Sequence, residues 1–245
     1  MNWPLFIAGA AAGGFINGLA GFGTALFALG FWLQFMPPQQ AVAIIVVLST
    51  VTGLQGLWIV RQAIFDNPRR LARFLLPAVP GIPMGIMILS SIDPASLKMF
   101  VACLLLVYGG YFSLKRNLPK FERPTPVTDV IVGFLGGVLG GAASLSGALP
   151  TMWCSMRPWP KAETRAVLQP FNVAVLGLTC VMLFFRGLYD TETLGFLAIA
   201  LPVSLMSAQL GIAAFRRLAD DSFRRLLIGL TFVSGASLLA RELLI

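Results

Sequence analysis

Apolar residues along this chain come in long runs separated by short charged patches. Eight runs stand out, roughly 4–35, 39–60, 71–91, 95–114, 126–156, 166–185, 194–215 and 223–240. A helix that spans a bilayer needs about 20 apolar residues at about 1.5 Å of rise each. The pattern predicts an all-α polytopic membrane protein, with nearly all of the 245 residues in the bilayer or within a turn of it. No length remains for a soluble catalytic domain.

The runs form two sets. Gly14-Phe15-Ile16-Asn17-Gly18-Leu19-Ala20-Gly21 matches Gly133-Phe134-Leu135-Gly136-Gly137-Val138-Leu139-Gly140 as G-F-x-x-G-x-x-G. Each copy sits in the first run of its set. Gly85 falls opposite Gly211, and Ser96-Leu97-Lys98 opposite Ser222-Phe223-Arg224. The chain reads as a duplicated unit of four runs, 1–120 and 121–245, in one transport domain. Its linker, Lys115 to Pro126, is rich in charge and proline.

Charge then changes the topology. Eight single crossings would place the basic 2–3 and 4–5 loops on one side and the basic 5–6 and 7–8 loops on the other, against the positive-inside rule. Runs 1 and 5 are about 30 residues long, more than one straight span needs, and glycine interrupts both. Read as broken, re-entrant hairpins, they put all four basic loops in the cytoplasm, with 15 of the 18 Lys and Arg residues. Each half then has three spans, an odd number, so the second half is inverted relative to the first, a recurring plan of secondary transporters. The rival topology keeps runs 1 and 5 as long, tilted, kinked spans.

Composition supports the class. Hydrophobic residues make up 57% and charged residues 11%, against about 25% charged in soluble domains. The net charge of +8 comes from anchors at run ends, which argues against nucleic-acid binding. Cys103, Cys154 and Cys180 lie inside apolar runs and do not read as a disulfide framework. The N-terminus lacks the basic region of a signal peptide, so the first run reads as retained.

The breaks carry the candidate chemistry. They are Gly18-Leu19-Ala20-Gly21-Phe22-Gly23-Thr24 and Gly140-Gly141-Ala142-Ala143-Ser144-Leu145-Ser146-Gly147. Non-helical backbone is tolerated at membrane depth only inside protein or beside a watery cavity. Each break starts a half-helix with unpartnered N–H groups at the positive end of its dipole. Two such ends could hold an anion without Lys or Arg, with Thr24, Ser144 and Ser146 adding hydroxyl donors. Asn17, Gln55, Gln169, Asn172 and Gln209 are polar positions expected to face the bundle interior. Arg165, at the cytoplasmic start of run 6, could attract an anion from inside. The plain alternative is close helix packing at the glycines, interhelical hydrogen bonds at the amides and anchoring at Arg165. The ten Asp and Glu residues fall in loops or at helix ends, and histidine is absent. No buried carboxylate is therefore expected, nor a metal site, a cofactor or a catalytic residue.

These residues resemble the sulfite exporter TauE/SafE family of bacterial membrane permeases. The resemblance rests on Gly14-Phe-x-x-Gly-x-x-Gly21-Phe-Gly23, the copy from Gly133, the stretch Pro77 to Gly85, Arg165-Ala166 and the region of Gly211. Where members show G-x-G-G-G followed by proline, this chain has Gly21-Phe22-Gly23-Thr24 and, in the second half, Gly140 to Gly147 with Pro150. The resemblance implies a multi-pass protein of the bacterial inner membrane that moves sulfite, sulfoacetate, thiosulfate or a related anion. Small carboxylates, or an anion channel using the same breaks, stay open. The implied partners are the anionic substrate and the bilayer, and a homo-oligomer is left open.

Overall fold

Apolar length and the placement of proline set the helices. The computed structural model describes residues 2–66, 68–93 and 125–219, with scattered positions between 95 and 121 and beyond 221. Among the described residues there are eight helices and no strand. They are α1 (Trp3–Ala20), α2 (Thr24–Trp32), α3 (Pro38–Asp66), α4 (Pro68–Ser91), α5 (Pro126–Ala143), α6 (Ala148–Ser155), α7 (Lys161–Phe185) and α8 (Thr191–Arg217). Proline opens α3, α4 and α5, where the missing N–H costs nothing. Asp190 caps α8 by accepting from the Thr193 N–H at 2.8 Å. All but α2 and α6 are long and apolar enough to cross a membrane. The chain is a multi-pass helical membrane protein. The predicted runs 95–114 and 223–240 and most of the linker lie largely outside the described residues.

Runs 1 and 5 each become two helices. α2 folds back along α1: the Trp32 ring stacks on Phe6 at 4.9 Å, and its Nε1–H donates to the Phe6 carbonyl at 3.1 Å. At the other end of α2, Gly13 lies against Thr24, 2.9 Å from where a methyl group on the glycine would stand. α6 folds back along α5 in the same way. The Trp153 Nε1–H donates to Asp129 Oδ1 at 2.7 Å, and Gly136 lies against the Ser146 carbonyl. The arms are unequal, so neither run is broken halfway. Gly13 is ten residues into α1, about 15 Å, or half of a core about 30 Å thick. Gly136 has the same place in α5. Each long arm therefore runs on past the start of its short arm, and the chain drops back before the short arm begins at mid-depth.

Glycine interlocks join the two halves. Methyl groups on Gly14 and Gly18 of α1 would stand 2.3 and 2.0 Å from the carbonyls of Ser204 and Ala208 on α8. Gly211 of α8 meets the Phe15 carbonyl in return. On α5, Gly133, Gly137 and Gly141 meet the carbonyls of Phe74, Ala78 and Ile82 on α4, while Gly81 and Gly85 meet those of Phe134 and Val138. Numbers rise together in both interlocks, so each pair runs parallel. Thr50 with Gly177, Gly53 with Val173 and Gly56 with Gln169 run the opposite way, so α3 and α7 are antiparallel. At one end of the molecule, Arg70 pairs with Glu163 at 2.8 Å and lies 4.2 Å over the Trp159 ring. That contact brings the α3–α4 and α6–α7 junctions together.

Candidate functional site

Glycine makes the first break. Gly21 ends α1 with φ 84° and Gly23 precedes α2 with φ 101°, both left-handed and costly for a side chain. Space also selects glycine at position 21, since a methyl group there would stand 2.5 Å from Gln169 Oε1. The second break turns at Ser144, with φ 57°. It is shorter than its glycines predict. Gly140 and Gly141 remain inside α5, and Gly141 serves close packing on α4. The motif match pairs Gly21 with Gly140, but the left-handed helix ends pair Gly21 with Ser144, about one turn further on.

The two breaks touch. Phe22, 3% exposed, packs on Gly147, the residue before α6, leaving 2.7 Å between its Cβ and a methyl group there. Around this contact, backbone donors are unused. The N–H groups of Phe22, Gly23, Thr24 and Ala25 have no acceptor among the described residues, nor do those of Ser146, Gly147 and Leu149. Pro150 has none to offer. Neither half-helix has a side-chain cap. Five of these seven residues are buried and two half-buried, and unpartnered donors there are unusual, because buried backbone groups are nearly always satisfied.

Buried side chains add to them. Thr24 Oγ1, Asn17 Oδ1, Asn172 Nδ2 and Gln55 Oε1 lack partners among the described residues. Ser146 donates from Oγ to Asn172 Oδ1, which leaves the amide nitrogen of Asn172 as the spare donor. Asn17 donates to the Ser49 carbonyl at 3.0 Å and to Thr52 Oγ1. Ser144 Oγ reaches the Val42 carbonyl at 3.4 Å. Thr24, Ser146 and Asn172 thus gather around the meeting breaks, and Gln169 flanks Gly21. Gln55 is half-buried on α3, with no hydrogen bond to either break.

Arg165 is 1% exposed rather than a surface anchor. Its Nη2 donates to the Gly18 carbonyl at 2.7 Å, Nη1 to Leu19 at 3.1 Å and Nε to Gln169 Oε1 at 3.1 Å, while Phe215 covers one face at 4.2 Å. It therefore closes the last carbonyls of α1, the negative end of that helix. Among the described residues no carboxylate pairs with it. Gln169 is held in turn, donating to the Gly53 carbonyl at 2.8 Å.

The expectation of no buried acid is corrected. Asp129 does lie at a helix start, as its sequence position indicates, yet it is 4% exposed. Folding α6 back on α5 covers it with Trp153 and with Arg157, whose Nη2 stands 3.5 Å away. Sequence reasoning also passed over Phe22 and over Ser49 and Thr52 as partners of Asn17. An aromatic between two break glycines is the signal for the first. The others follow only from which helices meet.

Six long apolar helices and two buried breaks in helical hairpins define a multi-pass membrane protein with discontinuous helices. Residues 5–238 match the family model described as Sulfite exporter TauE/SafE. The chain belongs to the sulfite exporter TauE/SafE family, whose members are membrane transporters. Comparison with curated proteins and with solved structures found no match.

Proposed function

We propose that this protein is a secondary carrier that exports a small sulfur oxyanion such as sulfite across a bacterial inner membrane. The observation that carries this reading is the pair of touching half-helix starts, whose backbone N–H groups lack acceptors at mid-depth. Every exposed atom of sulfite is an acceptor, so such a site suits it. Thr24 and Asn172, the latter held by Ser146, complete the donor set, and Arg165 stands on the cytoplasmic side of it. The notion of a site without fixed buried charge is thereby revised.

Alternating access would come from two inverted halves. Three contacts support that relation. α3 and α7 run antiparallel, α1 pairs with α8 as α5 pairs with α4, and Arg70 meets Glu163 across junctions that eight single crossings would separate. Among the described residues, Arg186 is the basic residue at the end opposite to Arg70.

Sulfite flux from loaded proteoliposomes tests the function. A carrier gives saturable, steeply temperature-dependent flux. Flux that never saturates would indicate a channel, and no flux of sulfite, sulfoacetate, thiosulfate or a short carboxylate would reject transport of this class.

A further inference from the structure

The ends of the two long arms are finished differently, and the difference has a direction. At the end of α5 the backbone closes itself: Ser144 N–H donates to the Gly140 carbonyl at 3.0 Å and Leu145 N–H to Leu139 at 3.1 Å. The nearby α3 position is Val42, a buried apolar residue that accepts from Ser144 Oγ. At the end of α1 the backbone supplies one such bond, Gly21 N–H to the Asn17 carbonyl at 2.7 Å. Arg165 of α7 supplies the donors for Gly18 and Leu19. A guanidinium has five N–H groups in one plane. Three are used, by Gly18, Leu19 and Gln169, which leaves one on each terminal nitrogen. Each of these can still give an oxyanion a charge-assisted hydrogen bond. The orphan Thr24 hydroxyl below the break is 1% exposed and gives the anion its next donor.

We infer that Arg165 sets the direction of loading: the carrier captures its oxyanion with higher affinity from the cytoplasmic face than from the outer face. This rests on the carrier reading above and on its topology, in which the end of α1 faces the cytoplasm and the end of α5 faces out. An anion from inside meets a desolvated cation. An anion from outside meets closed carbonyls and valine. Without a driving force, the ratio of maximal rate to half-saturation must be equal in both directions, so the tighter face is also the one with the lower maximal rate.

The test measures half-saturation for sulfite in proteoliposomes of each orientation. Wild type is expected to half-saturate at a concentration about tenfold lower from the cytoplasmic face, the size of one charge-assisted hydrogen bond. Arg165→Gln is expected to remove the difference and Arg165→Lys to keep part of it. Equal half-saturation from both faces of wild type would overturn the inference while leaving carrier function intact. So would an asymmetry that persists in Arg165→Gln. The wild-type comparison decides even where a variant fails to fold. Absence of any anion flux would instead reject the carrier reading beneath it.

Discussion

The hairpin of α1 and α2 and the hairpin of α5 and α6 have the same shape but different chemistry. Both are fastened at the open end by a tryptophan indole N–H. Trp32 gives its proton to a backbone carbonyl and stacks on Phe6, so that fastening is neutral. Trp153 gives its proton to Asp129, with Arg157 in ion-pair reach of the same carboxylate and 4.8 Å over the indole. Arg157 also donates to the Phe121 carbonyl at 3.0 Å and to Thr125 Oγ1. The same geometry is held by two chemistries: the hairpin at the end where Arg70 meets Glu163 uses an ion pair, and the other uses apolar stacking. At the tips the order reverses. The first break has the arginine, and the second is closed by backbone alone.

The largest effect is expected where the halves do not differ. Gly85 and Gly211 each lie 2.0 Å, measured to an added methyl group, from a carbonyl of the opposing long arm. Leucine at either position has no room, and the loss should exceed about 4 kcal/mol, enough to prevent folding. Expression and monodispersity in detergent would show it. If Gly85→Leu is lost and Gly211→Leu folds normally, the two interlocks are not equivalent.

Next comes Arg165→Ala. It strips two carbonyls at the end of α1 of their donors, at a cost of about 3 kcal/mol in a buried setting. The matching end of α5 has no such dependence. Thermal unfolding should register the change, and an unaltered midpoint would mean that α1 closes its own end.

The open ends give a smaller contrast. Asp129→Asn keeps an acceptor for Trp153 but removes the charge opposite Arg157, and should cost about 2–3 kcal/mol. Trp32→Phe keeps the stack and loses one hydrogen bond, worth about 1 kcal/mol. Equal losses in denaturant melts would erase the distinction between ionic and neutral fastening. Smallest is Ser144→Gly, which relieves a left-handed serine and should stabilise by about 0.5–1 kcal/mol at the expense of its weak bond to Val42. A clear loss of stability would show that the hydroxyl outweighs the strain.

Much of this plan was legible in the apolar runs. Their length located the described helices, and the excess length of runs 1 and 5 with their glycines pointed to a break in each. Charge counting put the basic loops at one end, and the meeting of Arg70 with Glu163 accords with it. The position of the second break within its run was not legible, because Gly140 and Gly141 look like break residues and are used for packing. A bare Cα serves both purposes, and only the partner helix decides between them. Arg165 looked like an interfacial anchor because sequence gives its distance from the helix start and not what lies beside it. Asp129 was placed at a helix end, but its burial depends on α6 returning over it.

The claim that the anion is held between the two meeting half-helix starts is tested most directly by titrating sulfite into purified wild-type protein and into Thr24→Val with Ser146→Ala. The Thr24 hydroxyl given to an anion is worth about 1.5–3 kcal/mol and Ser146→Ala frees the Asn172 amide that Ser146 holds, so the double variant should bind at least about tenfold more weakly while still folding without ligand. Unchanged sulfite affinity in a folded double variant would place the anion elsewhere and contradict the account.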